Sequence, residues 1–211
     1  MRVSRLVETA SLLLILSSWS TMAKAQSTDI VTQDITVDLT RENLVVEITA
    51  EVRANERSVG ILHLVPSLDV EEAEMDDEPI TLTHHPDSDR VHIAEWPRPL
   101  EAGESATIRY RLEGNPSCRS PSNPMNRICS LDEERTFVLP AELGMVWYLL
   151  RADDYDGSTG TVRVIAEETR RVASGSGVGS SESNGDGTTT WSFDWTHPIE
   201  SRWLVAGALD E

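Results

Sequence analysis

The sequence predicts an all-β fold, an antiparallel β-sandwich or a closely related curved, saddle-like sheet, on three observations. In Thr190-Trp191-Ser192-Phe193-Asp194-Trp195 the aromatics fall on every second residue, so at the strand period of two they share one face while Thr190, Ser192 and Asp194 take the other. Short alternating runs of this kind recur between turn signals at roughly 8 to 12 residue spacing, the rhythm of a sandwich. No stretch of useful length shows a helical period.

Taken in order, Asp34 to Thr40 puts Ile35, Val37 and Leu39 on one face. Leu44 to Arg53 alternates Leu44, Val46, Ile48, Ala50 and Val52 with Glu47, Thr49, Glu51 and Arg53, and Arg41-Glu42-Asn43 turns between the two strands as a β-hairpin. Val59 to Val65 is a third strand, with Leu62 and Leu64 inward, ended by Pro66. Leu68, Val70, Ala73 and Met75 keep to one face only if an extra residue is inserted near Glu71-Glu72, as a β-bulge does; a short acidic helix is the competing reading. Ile80 to Thr83 and Arg90 to Trp96 are short strands, with Pro97 and Pro99 closing that section. Ser105 to Glu113 alternates Ala106, Ile108, Tyr110 and Leu112 with polar residues, and Arg135 to Leu139 precedes an irregular stretch from Pro140 to Leu150. The last strands lie between Thr161 and Gly207. Ser174 to Ser183 reads as a Gly and Ser loop, Asn184-Gly185-Asp186-Gly187 as a tight reversal, and His197-Pro198 as a strand end. Arg202 to Leu209 is apolar on both faces, as in a terminal strand docked into a sheet.

Residues 1–25 read as an export signal: Arg2 and Arg5 begin it, Ala10 to Trp19 is too short an apolar run to span a bilayer, and Ala23-Lys24-Ala25 is a small-x-small cleavage pattern. The expectation is an exported, periplasmic or extracellular protein whose mature chain has no membrane span. Of the 211 residues, 186 would then remain, from 26 to 211, as a single domain. The chain holds 18 basic against 36 acidic side chains, a formal charge of −18. Arg2, Arg5, Lys24 and Glu8 fall in the signal, so the mature part would carry 15 basic against 35 acidic groups. A nucleic-acid partner is excluded by that sign. Lys24 is the only lysine, and an acidic, lysine-poor surface suits a saline medium as well as it suits plain solvation.

Cys118 and Cys129, in an exported chain, are expected to pair, closing a loop worth about 3 kcal/mol in the chain-entropy account. Their spacing is not that of a zinc knuckle. His84, His85 and His92 stand close in sequence, but adjacent strand residues point to opposite faces, so at most one of His84 and His85 can join His92. Ordinary exposed histidines are the expectation, with no metal and no cofactor. Asp153-Asp154-Tyr155-Asp156-Gly157 has the look of a calcium loop, yet the matching frame puts Ala152 and Val162 where ligands belong, leaving an Asp-rich turn. Trp96, Trp147, Trp191, Trp195 and Trp203 are expected mostly in the core; two exposed on one face would make a stacking platform.

The opening hairpin DITVDLTRENLVVEITAEV, the string WPRPLEAGESATIRYRLEG, the pair Trp147-Tyr148 and the closing DGTTTWSFDWTHPIESRWLVAG together resemble the N-terminal β-domain of the aminopeptidase N family of zinc metallopeptidases. Leu149 stands where that family usually has Pro after the Trp-Tyr pair. The resemblance implies the fold and an accessory role. Peptide hydrolysis in the family rests on H-E-x-x-H, a downstream Glu and a G-x-M-E-N loop, none of which occurs in this sequence, so no catalytic residue carries over.

The function expected is a non-catalytic interaction or accessory module that binds a protein or peptide, with Trp147 and Tyr148 as its candidate binding surface. The first alternative is a truncated part or docking subunit of a zinc aminopeptidase whose partner is a separately encoded catalytic domain. The second is a carbohydrate-binding or surface-adhesion sandwich.

Overall fold

The computed structural model describes residues 28–64, 66, 68–114, 137–139, 147–152, 157–175, 179–199 and 203–207. Fourteen strands and no helix occur among them: β1 (Thr28–Asp38), β2 (Leu44–Ala54), β3 (Ser58–Leu64), β4 (Asp69–Met75), β5 (Glu78–Pro79), β6 (Thr81–His85), β7 (Ser88–Leu100), β8 (Ser105–Gly114), β9 (Phe137–Leu139), β10 (Ser158–Glu167), β11 (Arg171–Ser174), β12 (Ser180–Ser183), β13 (Thr188–Ile199) and β14 (Leu204–Gly207). They form an eight-stranded sheet in the order β12-β13-β10-β1-β2-β8-β4-β5 and two three-stranded sheets, β3-β7-β6 and β11-β14-β9.

Alternation decides which face of the large sheet is buried. Ile35 pairs with Ile48 and Val37 with Val46 across the opening hairpin; Ile48 and Val46 in turn face Tyr110 and Leu112 on β8. One core collects these side chains with Phe193 and Trp195 of β13, Ile61, Ala94 and Trp96 of one small sheet, and Leu204 and Ala206 of the other. Each fully buried aliphatic side chain stabilises such a core by about 1.5–3 kcal/mol. The turn between β1 and β2, residues 39–43, is held by Asp38, whose carboxylate accepts from Thr40 N (3.0 Å), Thr40 Oγ1 (2.6 Å) and Arg41 Nε (2.7 Å). Burial alone would raise the Asp38 carboxyl, but those hydrogen bonds outweigh it and hold it below its ordinary value.

The bulge in β4 is where the apolar pattern requires it. Val70 pairs with Leu112 and Glu72 with Arg111, leaving Glu71 as the inserted residue that returns Ala73 and Met75 to the core side. The next hairpin, β4 to β5, turns through Asp76 and Asp77 at φ 51° and 68°, the left-handed pair that a two-residue hairpin loop demands. Beyond Pro79 the chain changes sheets: Ile80 N still donates to Ala73 O (2.9 Å), and then β6 leaves β4 to pair with β7.

Four local expectations are corrected. The β1–β10 pair, Ile35 with Val162 and Val37 with Val164, is parallel, whereas an antiparallel sheet was expected; the period of two is the same in both senses. Pro97 and Pro99 do not end a strand: β7 runs on to Leu100, and the prolines lie between its pairs at Glu95 and Leu100, where no ladder needs their missing N–H. Ser180–Ser183, read as loop, is an exposed edge strand on β13. His197-Pro198 likewise lies inside β13, which continues to Ile199.

Candidate functional site

Trp147 and Tyr148, the candidate binding surface, are buried in this structure. They are 1% and 2% exposed, with their rings edge to face at 5.4 Å. The reason lies in how an irregular segment is pinned. The buried Gln33 side chain accepts from Leu149 N (2.9 Å) and donates to Leu149 O (2.8 Å), so its amide substitutes for a strand partner. Residues 150–152 then run beside β3, with Leu64 N donating to Leu150 O (2.8 Å) and Ala152 N to Leu62 O (3.1 Å). Arg151, itself buried, meets the Asp29 carboxylate. Sequence reading could not foresee this, because a Gln one residue out of step in β1 carries no signal of a partner more than a hundred positions away.

The other indoles divide as expected. Trp96 and Trp195 are buried and Trp191 packs half-buried against the core with the Arg171 guanidinium 6.0 Å from its ring centre. Trp203 alone is exposed among the described tryptophans, so they offer no two-ring platform.

The histidines are drawn into one row. Across the β3-β7-β6 sheet His63 pairs with His92 and His92 with His84, with ring centres 5.5 Å and 4.7 Å apart. The strand period correctly allowed only one of the adjacent pair to join His92, but it missed His63, which arrives from a distant strand. His63 is fully enclosed. Its Nδ1 lies 2.9 Å from Leu64 O, which can only accept, so Nδ1 carries the proton. Nε2 is then the acceptor for the Tyr110 hydroxyl at 3.2 Å. Burial pushes His63 down to about 4, against a smaller opposing effect of the Leu64 hydrogen bond, and pushes the Tyr110 phenol up. His92 is lowered too, by burial and then by the neighbouring His84. His63 and His92 are therefore neutral at neutral pH.

Beyond His84 the row opens on a cleft of about 370 Å³, lined by Leu68, Asp69 and Val70 from the β4 side and by Leu82, His84 and His92 from the small sheet. On the outward face of the large sheet, Arg111 is spent on Glu47 (2.8 Å) and Arg109 on Asp77, exposed pairs worth at most about 1 kcal/mol each. Among the described residues no three His, Cys, Asp or Glu side chains stand where they could hold a metal ion, and His63 has both ring nitrogens engaged. These residues do not fit a zinc centre. Cys118, Cys129 and Asp153 to Asp156 lie outside the described residues, as do residues 1–25, expected to be an export signal. No described helix is long and apolar enough to cross a membrane.

No family model and no curated protein matches the sequence. Solved structures do. The chain is similar to the M1 zinc metallopeptidase of Deinococcus radiodurans, at TM-score 0.65 and 19% identity over 86% of this chain and 42% of that one. The chain has the fold of the M1 peptidase N-terminal domain. A point variant from the same organism bound to a Tyr-Ser-Ala substrate gives 0.67 and 20%, over 86% and 42%. A two-domain M1 zinc metallopeptidase variant bound to L-tryptophan gives 0.66 and 20%, over 86% and 43%. This chain thus spans less than half the length of the structures it matches.

Proposed function

We propose that this chain is an exported, non-catalytic β-domain that works by binding protein or peptide, an accessory module in the manner of one half of a zinc peptidase. The observation that carries this reading is the asymmetry of the likeness, 86% of this chain against 42–43% of M1 zinc metallopeptidases, in a sequence without the H-E-x-x-H and G-x-M-E-N motifs. Hydrolysis of a peptide bond by a metal enzyme needs a Lewis acid, a group to move the proton and a group to hold the amine. Of the described histidines His63 is enclosed in the fold, with both ring nitrogens engaged. The same asymmetry favours one narrower form of the reading, in which the partner is a zinc domain encoded apart and this chain docks on it.

The test mixes the purified chain with a separately produced catalytic domain of a two-domain M1 zinc metallopeptidase and follows complex formation by calorimetry, with zinc analysis and aminoacyl-coumarin hydrolysis on each component alone. A saturable complex, with less than stoichiometric zinc and no hydrolysis by this chain by itself, is expected. One equivalent of zinc together with chelator-sensitive release of amino acids by this chain alone would overturn the non-catalytic reading, and absence of a complex would remove the narrower one.

A further inference from the structure

Strands β4 and β6 are tied together at one end and part at the other. Glu74 pairs with Pro79, Met75 with Glu78, and Ile80 N reaches Ala73 O; past that point β6 goes over to β7. Asp69 to Glu72 keep β8 on one side and have no ladder partner on the other among the described residues, and Thr81 to His84 are likewise paired only with β7. The cleft lies in this split, where two unpaired backbone edges flank an apolar floor of Leu68, Val70 and Leu82. An unpaired edge beside a groove is the geometry that takes an added strand.

We propose that the split between β4 and β6 is a binding site for an extended, arginine- or lysine-bearing segment of a partner protein, which pairs its main chain with β4 and seats an apolar side chain on Val70 and Leu82. This rests on the reading of the chain as a protein-binding module and gives that module a place and a chemistry. Charge selects the occupant. From Asp69 to Asp89 there are nine carboxylates and no lysine or arginine. Asp76 and Asp77 are taken by Arg98 and Arg109, whereas Asp69, Glu71, Glu72 and Glu74 have no ion pair among the described residues. A second copy of this chain would bring the same carboxylates to the same edge and be repelled, while a basic strand would be attracted. His92, neutral and with Nδ1 lacking a hydrogen-bond partner, lines the cleft as an unused polar contact. Four unpaired residues on each edge correspond to a segment of about 13 Å at the rise of a strand, so the recognised element is short.

The probe is a fluorescein-labelled acetyl-Arg-Val-Arg-Val-Arg amide titrated with the full chain by fluorescence anisotropy, beside the Glu-Val-Glu-Val-Glu counterpart and an Arg-Val peptide N-methylated at alternate amides. Saturable binding of the first peptide, at least ten-fold weaker binding of the other two, and a ten-fold loss in Asp69→Arg are expected, with slowed amide exchange confined to Asp69–Glu72 and Thr81–His84. Asp69 is exposed and makes no ion pair among the described residues, so its reversal leaves the fold in place; circular dichroism of the variant checks this. Equal binding of the N-methylated peptide would mean charge attraction without strand pairing and overturn the proposal, as would no saturation, an unchanged Asp69→Arg variant or protection elsewhere. If these fail while the chain still forms a complex with the zinc domain, only the site is wrong; if no complex and no peptide binding is found, the interaction reading itself falls.

Discussion

Acidification should destabilise this domain through His63 before its carboxylates are neutralised. Folding encloses the ring and sets its pKa at about 4, against 6.5 for the free side chain. Its folded value is depressed, so the unfolded chain takes up a proton first as pH falls; the stability His63 confers is complete above about 6.5 and is lost progressively down to about 4. Each pKa unit is worth about 1.4 kcal/mol, so the full loss is about 3 kcal/mol, of which about 2 kcal/mol falls between pH 7 and pH 5. Depressed carboxylates such as Asp38 and Glu104 act lower, because their unfolded values already lie at 3.8 and 4.5. His92 works in the same direction as His63, being lowered as well. The contribution is isolated by urea unfolding, read by tryptophan fluorescence at half-unit pH steps, of the wild type and a His63→Leu/Tyr110→Phe double variant. That variant removes the imidazole and its hydroxyl partner together, so neither is left unsatisfied. The wild type should lose about 2 kcal/mol more than the variant between pH 7 and pH 5. Parallel curves would show that His63 titrates near its free value and that the enclosure described above is not maintained in solution.

Replacing Gly160 by alanine should cost several kcal/mol, since a Cβ there would stand 1.9 Å from Gln33 O at φ +137°, and the loss should appear as a lowered urea midpoint; an unchanged midpoint would refute the close approach. Trp147→Ala should cost about 3–5 kcal/mol by emptying a core position, and a near-neutral result would return the ring to the surface. Thermal stability should rise across a sodium chloride series from low to molar concentration, because salt screens the self-repulsion of a chain at −18; a flat or falling melting temperature would show the carboxylates to be merely solvated. Protein recovered from the exported fraction should yield no alkylated thiol without reductant, while two modified cysteines by intact mass would exclude the Cys118–Cys129 bridge.

What the sequence by itself determined is what a local period can encode. Alternation in Leu44 to Arg53 and Ser105 to Glu113 assigned every inward side chain, and the broken alternation between Val70 and Ala73 located an inserted residue, because a one-residue slip would turn the whole apolar set to solvent. Beyond the hairpins marked by turn residues, it said nothing of which strands would meet. The parallel β1–β10 pair, the passage of the β5–β6 chain from one sheet to another, and the row of His63, His92 and His84 depend on partners far apart in the chain, where strand period is blind to direction and order. Edge strands such as Ser180–Ser183 bury nothing and so carry no hydrophobic signature at all. Trp147 and Tyr148 show the same division. Size placed most of the indoles in the core yet left Trp147-Tyr148 as a candidate surface, and the Gln33 amide gripping Leu149, a contact specified in three dimensions, holds the segment in which both rings are buried.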